Sequence, residues 1–201
     1  TTEIYTLSLH DALPILTYDD GGSVENMLSL MDVYDSYGFK TTFFVTGEWV
    51  QANLELTKSI IERGFEIGCH GWDHQEMQNL GRDGTRKQFE AFLEIMKEVD
   101  PSYQVKFVRF PFGSRNESLR EVAAELGMQS IMWSVESGGM DERTFSYVTD
   151  RVDSGSIVLS HSTRWYDVSQ SAKILERLKE LGFSVTTVGE GLSDEDKFPS
   201  D

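Results

Sequence analysis

The chain has a single cysteine, Cys69, so no internal disulfide is available to staple it. Basic residues are scarce. Lys and Arg number 18 against 34 Asp and Glu, for a formal net charge of -16. Binding to nucleic acid draws on a basic patch that neutralises phosphates, and this balance argues against it. It also disfavours anionic membranes and is silent about a neutral glycan; its plainest consequence is solubility. No apolar run approaches the length needed to span a bilayer, so no membrane-spanning segment is expected. No linker, internal repeat or low-complexity block divides the chain.

What is present suits one globular domain. A chain of 201 residues can bury a sizeable core, and 39% hydrophobic and 26% charged residues are ordinary for a soluble protein. The stretch from Tyr5 to Ile15 resembles a translated sequencing adapter. Residues 1–14 are therefore expected to be a non-native head, with the true N-terminus and any export signal lost, and His10 and Asp11 receive no role. The domain is expected over 15–192, followed by a polar tail over 193–201.

Within the domain, strand and helix patterns alternate. Val24, Met27, Leu28 and Met31 recur at helical spacing, and Gly38 stops that helix. Thr41 to Val45 is a β-branched and aromatic run of strand length. A helix over 54–63 ends at Gly64, and a strand over 65–69 follows. The pattern then predicts a helix over 85–99, a strand over 105–108, a helix over 117–126 and a strand over 128–135. Next come a helix over 144–152, a strand over 156–160, an amphipathic helix over 168–181 and a last strand over 183–188. About seven strand–helix units argue for an α/β fold, a barrel of parallel strands rather than an open sheet. The units are short, so the barrel should be smaller and less regular than the common large form.

Five predicted strands end on a polar residue. Asp19 and Asp20 follow Ile15 to Tyr18; His70 and His74 follow Phe65 to Cys69. Arg109 follows Val105 to Val108, Glu136 follows Ile131 to Val135, and His161 closely follows Ile157 to Leu159. Parallel strands of a barrel end on one rim, where chemistry is done. Two carboxylates, two histidines four residues apart, an arginine and a third histidine make a metal-hydrolase set. Each residue also has a purely structural reading. His70 and His74 suit a helical i, i+4 pair, although Gly71 argues for a loop; Asp19 to Gly22 suits a helix-capping turn; Arg109 suits an ion pair, and His161 a hydrogen-bonded strand end. The chain has four histidines, and the three outside the head all fall at rim positions. Cys69 and His70 alternate to opposite faces of a strand, which favours Cys69 as a small buried hydrophobe.

Four segments resemble, in order and spacing, the motifs of the polysaccharide deacetylases of carbohydrate esterase family 4, whose shared unit is the NodB homology domain. They are Thr17-Tyr18-Asp19-Asp20-Gly21, His70-Gly71-Trp72-Asp73-His74, Arg109-Phe110-Pro111-Phe112-Gly113 and Leu159-Ser160-His161. The resemblance implies a distorted, roughly seven-stranded (β/α) barrel and a divalent metal, Zn2+ above Co2+ or Mn2+, held by Asp20, His70 and His74. Two imidazoles and one carboxylate leave positions open, as catalytic zinc needs. By the same resemblance Asp19 is the general base, His161 the general acid and Arg109 the group that orients the base. The Phe112 backbone N–H helps hold the oxyanion, with Pro111 beside it at the substrate. Leu159 and Met140 are expected to line the acetyl pocket. Trp72 and Trp165 are expected at the rim as sugar-stacking candidates, and Trp133 in the core.

Two segments depart from the family. Gly71 stands where a Ser or Thr is usual, so a hydroxyl brace of the metal loop is missing. Glu136-Ser137-Gly138-Gly139-Met140 falls where the family has Asp and then an Asp-Trp pair. Glu136 is expected to bind the far ring nitrogen of His161 from one methylene further away. The implied partner is an N-acetylated glycan, peptidoglycan or chitin-like, at the cell envelope or outside the cell. The alternatives are hydrolysis of a small or cyclic amide, and catalytically weak glycan binding.

Overall fold

The computed structural model describes residues 13–193, with side chains up to residue 192. Residues 1–12 of the expected head and 194–201 of the expected tail lie outside the described residues.

Seven strands carry the fold: β1 (Ile15–Asp20), β2 (Thr42–Val45), β3 (Glu66–Cys69), β4 (Phe107–Val108), β5 (Gln129–Ser130), β6 (Val135–Glu136) and β7 (Ile157–His161). They form one sheet in the order β5-β4-β3-β2-β1-β7-β6, and every pairing is parallel. The two edge strands are consecutive in sequence, joined only by residues 131–134. A flat sheet of this size would hold its edges about 29 Å apart. The joining segment reaches at most about 18 Å. The sheet therefore curls into a distorted (β/α) barrel, seamed where 131–134 cross from one edge to the other.

Strand alternation divides the side chains between two faces. Leu16, Tyr18, Phe43, Val45, Cys69 and Val158 point outward into the main core. There they meet the helices α1 (Val24–Tyr37), α2 (Gly47–Ala52), α3 (Leu54–Glu62), α4 (Met77–Val99), α5 (Glu117–Glu125), α6 (Thr144–Thr149), α7 (Trp165–Ser169) and α8 (Ser171–Glu180). Ile15, Phe44, Phe107, Ile131 and Ile157 point inward and plug the barrel, together with Val188 at the start of α9 (Val188–Ser193). The inward positions nearer the strand C-terminal ends are Thr17, Asp19, Leu159 and His161, so the apolar plug gives way to a polar layer at one rim. Cys69 is buried as expected; burial, partly offset by the Gly71 N–H, pushes its thiol up to about 12.

Several expected elements differ. The apolar run over 128–135 is two short strands on opposite edges, because the chain must cross the seam inside it. The strand expected over 105–108 is confined to Phe107–Val108. The helix expected over 85–99 begins at Met77 and kinks at Gly81. The helix expected over 168–181 breaks at Gln170 into α7 and α8. Residues 183–187 add no strand; both edges are already joined at the seam, and Val188 instead caps the plug.

Candidate active site and metal centre

β1 ends on two carboxylates with different environments. Asp19 faces inward and is buried, whereas Asp20 sits at the rim with φ 79°. Among the described residues only Asp20, His74 (φ 61°) and Phe112 (φ 59°) are non-glycine residues in the left-handed region. All three lie at this rim, where such backbone strain turns side chains onto a site. Asp20 Oδ1 is 3.6 Å from His70 Nε2 and 3.3 Å from His74 Nε2. One ligand atom from each of these residues lies within 4.8 Å of the others. His70 Nδ1 is 2.7 Å from the Arg109 carbonyl oxygen. A carbonyl only accepts, so Nδ1 carries the proton and the Nε2 lone pair is left for the site. This donor set, its spacing and its tautomer fit a divalent cation such as zinc. Burial works against the Asp20 charge, but hydrogen bonding to His70 and His74 outweighs it and holds the carboxyl well below the usual range. Its second oxygen accepts from the Thr163 hydroxyl at 3.0 Å. Reciprocally, the Asp20 hydrogen bond raises the pKa of His74.

Arg109 is fully buried inside the barrel mouth. Its Nη1 donates to Asp19 Oδ1 at 2.7 Å and to Thr17 Oγ1 at 2.6 Å. Nε and Nη2 donate to the carbonyls of Ile131 and Met132 at 3.4 and 3.2 Å, and the guanidinium lies 4.3 Å from the Phe44 ring centroid. Burial lowers its pKa, and Asp19 opposes that shift, so the guanidinium stays charged. On the adjacent strand His161 is the register partner of Asp19. The site therefore presents a triad that could hold a cation, a buried carboxylate clamped by arginine, and a histidine on the neighbouring strand.

A family model described as polysaccharide deacetylase matches residues 9–131 of this chain. The chain belongs to the polysaccharide deacetylase family, of the CE4, NodB type. Peptidoglycan-N-acetylglucosamine deacetylase PgdA of Listeria monocytogenes is 32% identical over 181 residues, which cover 87% of this chain; the chain spans only 38% of PgdA. A peptidoglycan-N-acetylglucosamine deacetylase of Bacillus cereus is 30% identical, covering 87% of this chain and 85% of that protein. Among solved structures, a mutant of BA3943 of Bacillus anthracis matches with TM-score 0.89 and 27% identity, over 95% of this chain and 71% of that one. BA3943 is a CE4 family pseudoenzyme, and that mutant has restored enzymatic activity. Membership of this family thus leaves activity to be argued from the residues.

In this family member a cleft of about 360 Å³ opens at the rim. Of the residues expected at the site from sequence, Asp19, Asp20, His70, His74, Phe112, Glu136, Leu159 and His161 line it. Arg109 lies beneath it. Four substrate-contact expectations fall elsewhere. Pro111 is buried in the short 3₁₀ turn Pro111–Gly113. Met140 is exposed on a neighbouring depression with Asp141 and Tyr147. Trp165 is exposed on α7 outside the cleft lining. Trp72 packs its ring against Gly47 and is not part of the cleft lining. Trp133, expected in the core, packs against the inner plug and, lying in the seam segment, also lines the cleft. Arg164 also lines the cleft and was missed; it donates to the Gly138 carbonyl at 3.0 Å. Glu136 is exposed at the mouth, and the carboxylate packed against the ring of His161 is Asp167, which no sequence motif marked.

The loop bearing His70 and His74 is not helical, as Gly71 implied. Gly71 has φ 79°, which strains any residue with a side chain, and a Cβ there would meet the tip of Met77 at 2.4 Å and push it aside, so a Ser or Thr is disfavoured. The missing hydroxyl brace is replaced from α4. Gln88 Oε1 accepts from the N–H groups of Trp72 and Asp73 at 2.6 and 3.3 Å, and its Nε2 donates to Asp73 Oδ1 at 2.8 Å. Restoring the family hydroxyl as Gly71→Ser is expected to destabilise the protein by about 1–3 kcal/mol through overpacking and backbone strain. A denaturant titration checks this; a Gly71→Ser protein as stable as the parent would show that the loop relaxes freely.

Proposed function

We propose that this family member is a metal-dependent N-deacetylase of an N-acetylglucosamine-containing glycan, peptidoglycan or chitin-like, acting at the cell envelope or outside the cell. The observation that carries the reading is the convergence of Asp20, His70 and His74 within 4.8 Å beside the buried Asp19. The relatives named as peptidoglycan deacetylases support the substrate class. Among the described residues no helix is long and apolar enough to cross a membrane.

A divalent cation held by Asp20, His70 and His74, most simply zinc, would polarise the acetamide carbonyl and acidify the attacking water. The chain's own residues supply the rest. Asp19 takes a proton from the water as its oxygen bonds to the carbonyl carbon, with Arg109 fixing the rotamer that presents the free carboxylate oxygen. The Phe112 N–H, presented by a left-handed turn, faces the developing oxyanion. His161 gives a proton to the amide nitrogen as the C–N bond breaks, releasing acetate and a free amine. Leu159 and Trp133 offer apolar walls for the acetyl methyl.

A second reading, a glycan binder without turnover, draws support from the likeness to the pseudoenzyme BA3943. One assay separates the two: acetate release by zinc-, cobalt- or manganese-loaded protein from peptidoglycan, chitooligosaccharides and small cyclic amides in parallel. The expected result is release from a glycan, abolished by a chelator and restored by metal. Folded, metal-loaded protein that releases no acetate, or release that a chelator leaves untouched, would overturn the proposal.

A further inference from the structure

Three neighbouring buried polar atoms at the back of the cleft have no hydrogen-bond partner among the described residues: His161 Nδ1, Asp167 Oδ1 and Ser137 Oγ. They belong to neighbouring side chains. Asp167 Oδ2 accepts the backbone N–H of His161 at 2.8 Å and lies 4.0 Å from His161 Nδ1. Buried donors and acceptors left unpaired are costly, and hydrogen bonds at reacting groups are often long before substrate arrives. Bringing His161 Nδ1 and Asp167 Oδ2 from 4.0 Å to hydrogen-bond distance takes a shift of about 1 Å.

The surroundings keep that carboxylate dry. Its side chain is fully buried. The backbone of Gly139, at φ 60°, lies directly over it; a Cβ at 139 would come within 2.3 Å of Asp167 Oδ2 and 2.8 Å of Arg164 Cδ. Position 139 therefore accepts no side chain while Asp167 occupies this space. Arg164 pins the covering loop through the Gly138 carbonyl. In a low-dielectric enclosure a carboxylate acts more strongly on an adjacent ring.

We propose that Asp167 is the positioning residue for His161. It accepts from Nδ1–H, holds the ring in one tautomer and leaves Nε2–H as the proton that crosses to the departing amine. This inference rests on His161 being the proton donor of the proposed reaction. After transfer the ring is neutral, still protonated at Nδ1 and still held by Asp167. The groups facing His161 are Asp19 and Asp20 from β1, His70 from the metal loop, and Asp167 and Arg164 around α7, with Glu136 on β6 at the mouth. Burial lowers the pKa of His161, Asp19 and Asp20 raise it, and Arg164 and His70 lower it. Burial raises the pKa of Asp167, and the nearby Ser137 hydroxyl and the His161 N–H oppose that shift.

The test is an NMR titration of the imidazole of His161 in zinc-loaded protein, for the parent, Asp167→Asn and Glu136→Gln. Asn still accepts the His161 N–H, so the local fold keeps its anchor while the charge goes. The expected result is a parent ring protonated at Nδ1, and an Asp167→Asn ring whose pKa falls by about one pH unit and whose tautomer becomes mixed. In turnover, activity is lost as pH rises through the pKa of a proton donor, so the basic limb of the pH profile moves down with it. The rate falls by about 10–100-fold. An unmoved pKa in Asp167→Asn, or a larger shift in Glu136→Gln, overturns the proposal. If Asp167→Asn fails to fold, a parent ring protonated only at Nε2 overturns it, and one protonated at Nδ1 supports it. The titration needs no turnover, so failure of the deacetylase reading shows separately, in the acetate assay.

Discussion

Asp19→Asn is expected to lower the rate of acetate release by about 10²–10⁴-fold, the range supplied by a positioned general base. The size follows from chemistry rather than shape. Asn has nearly the same volume and its amide oxygen still accepts from Arg109, but it cannot take the proton of the attacking water. The three candidate ligands are untouched, because Asp20, His70 and His74 converge without Asp19. Calorimetric zinc titration beside the rate measurement makes the result decisive. Zinc uptake close to that of the parent, with the rate collapsed, places the proton transfer at Asp19. A variant that turns over within a few-fold of the parent would remove Asp19 from the mechanism.

The largest stability effect is expected at Arg109→Met. The guanidinium is fully buried and bonds Asp19, Thr17 and the carbonyls of Ile131 and Met132. Met fills much of the volume and leaves Asp19 as a buried carboxylate without its cation. Breaking one side of such a pair costs about 3–5 kcal/mol. In a domain of this size that lowers Tm by about 6–20 °C. Scanning calorimetry measures the loss, and the double variant Asp19→Asn/Arg109→Met should recover part of it, since the two effects are coupled. A single variant within 1 kcal/mol of the parent would mean that the clamp contributes orientation and little else.

The candidate site was more legible than the seam beside it. β1, β2 and β7 announce themselves as runs rich in β-branched, aromatic and other apolar residues, and a polar residue directly after a parallel strand has only the rim to occupy. Gly71 correctly ruled out a helix for the two histidines. The reading fails where the local pattern is right but tertiary closure overrides it. Residues 128–135 read locally as one strand, and nothing local records that the chain leaves one edge after Ser130 and rejoins the other at Val135. Trp133, expected in the core for that reason, packs on the inner core and also lines the cleft. Asp167 was hidden differently. It lies in a helical stretch beyond His161, and only the structure places its carboxylate against a ring nitrogen.

Arg109 also grips the carbonyls of Ile131 and Met132, the first half of the segment that joins the two edges. One side chain thus serves as both the latch of the barrel and the hand that steadies Asp19, the proposed proton acceptor. Insertions are ordinarily absorbed by loops between strands, but here an extra residue would slacken the latch and let the acceptor wander. A longer joint would therefore need another way to hold Asp19 in place, even where the overall shape is kept.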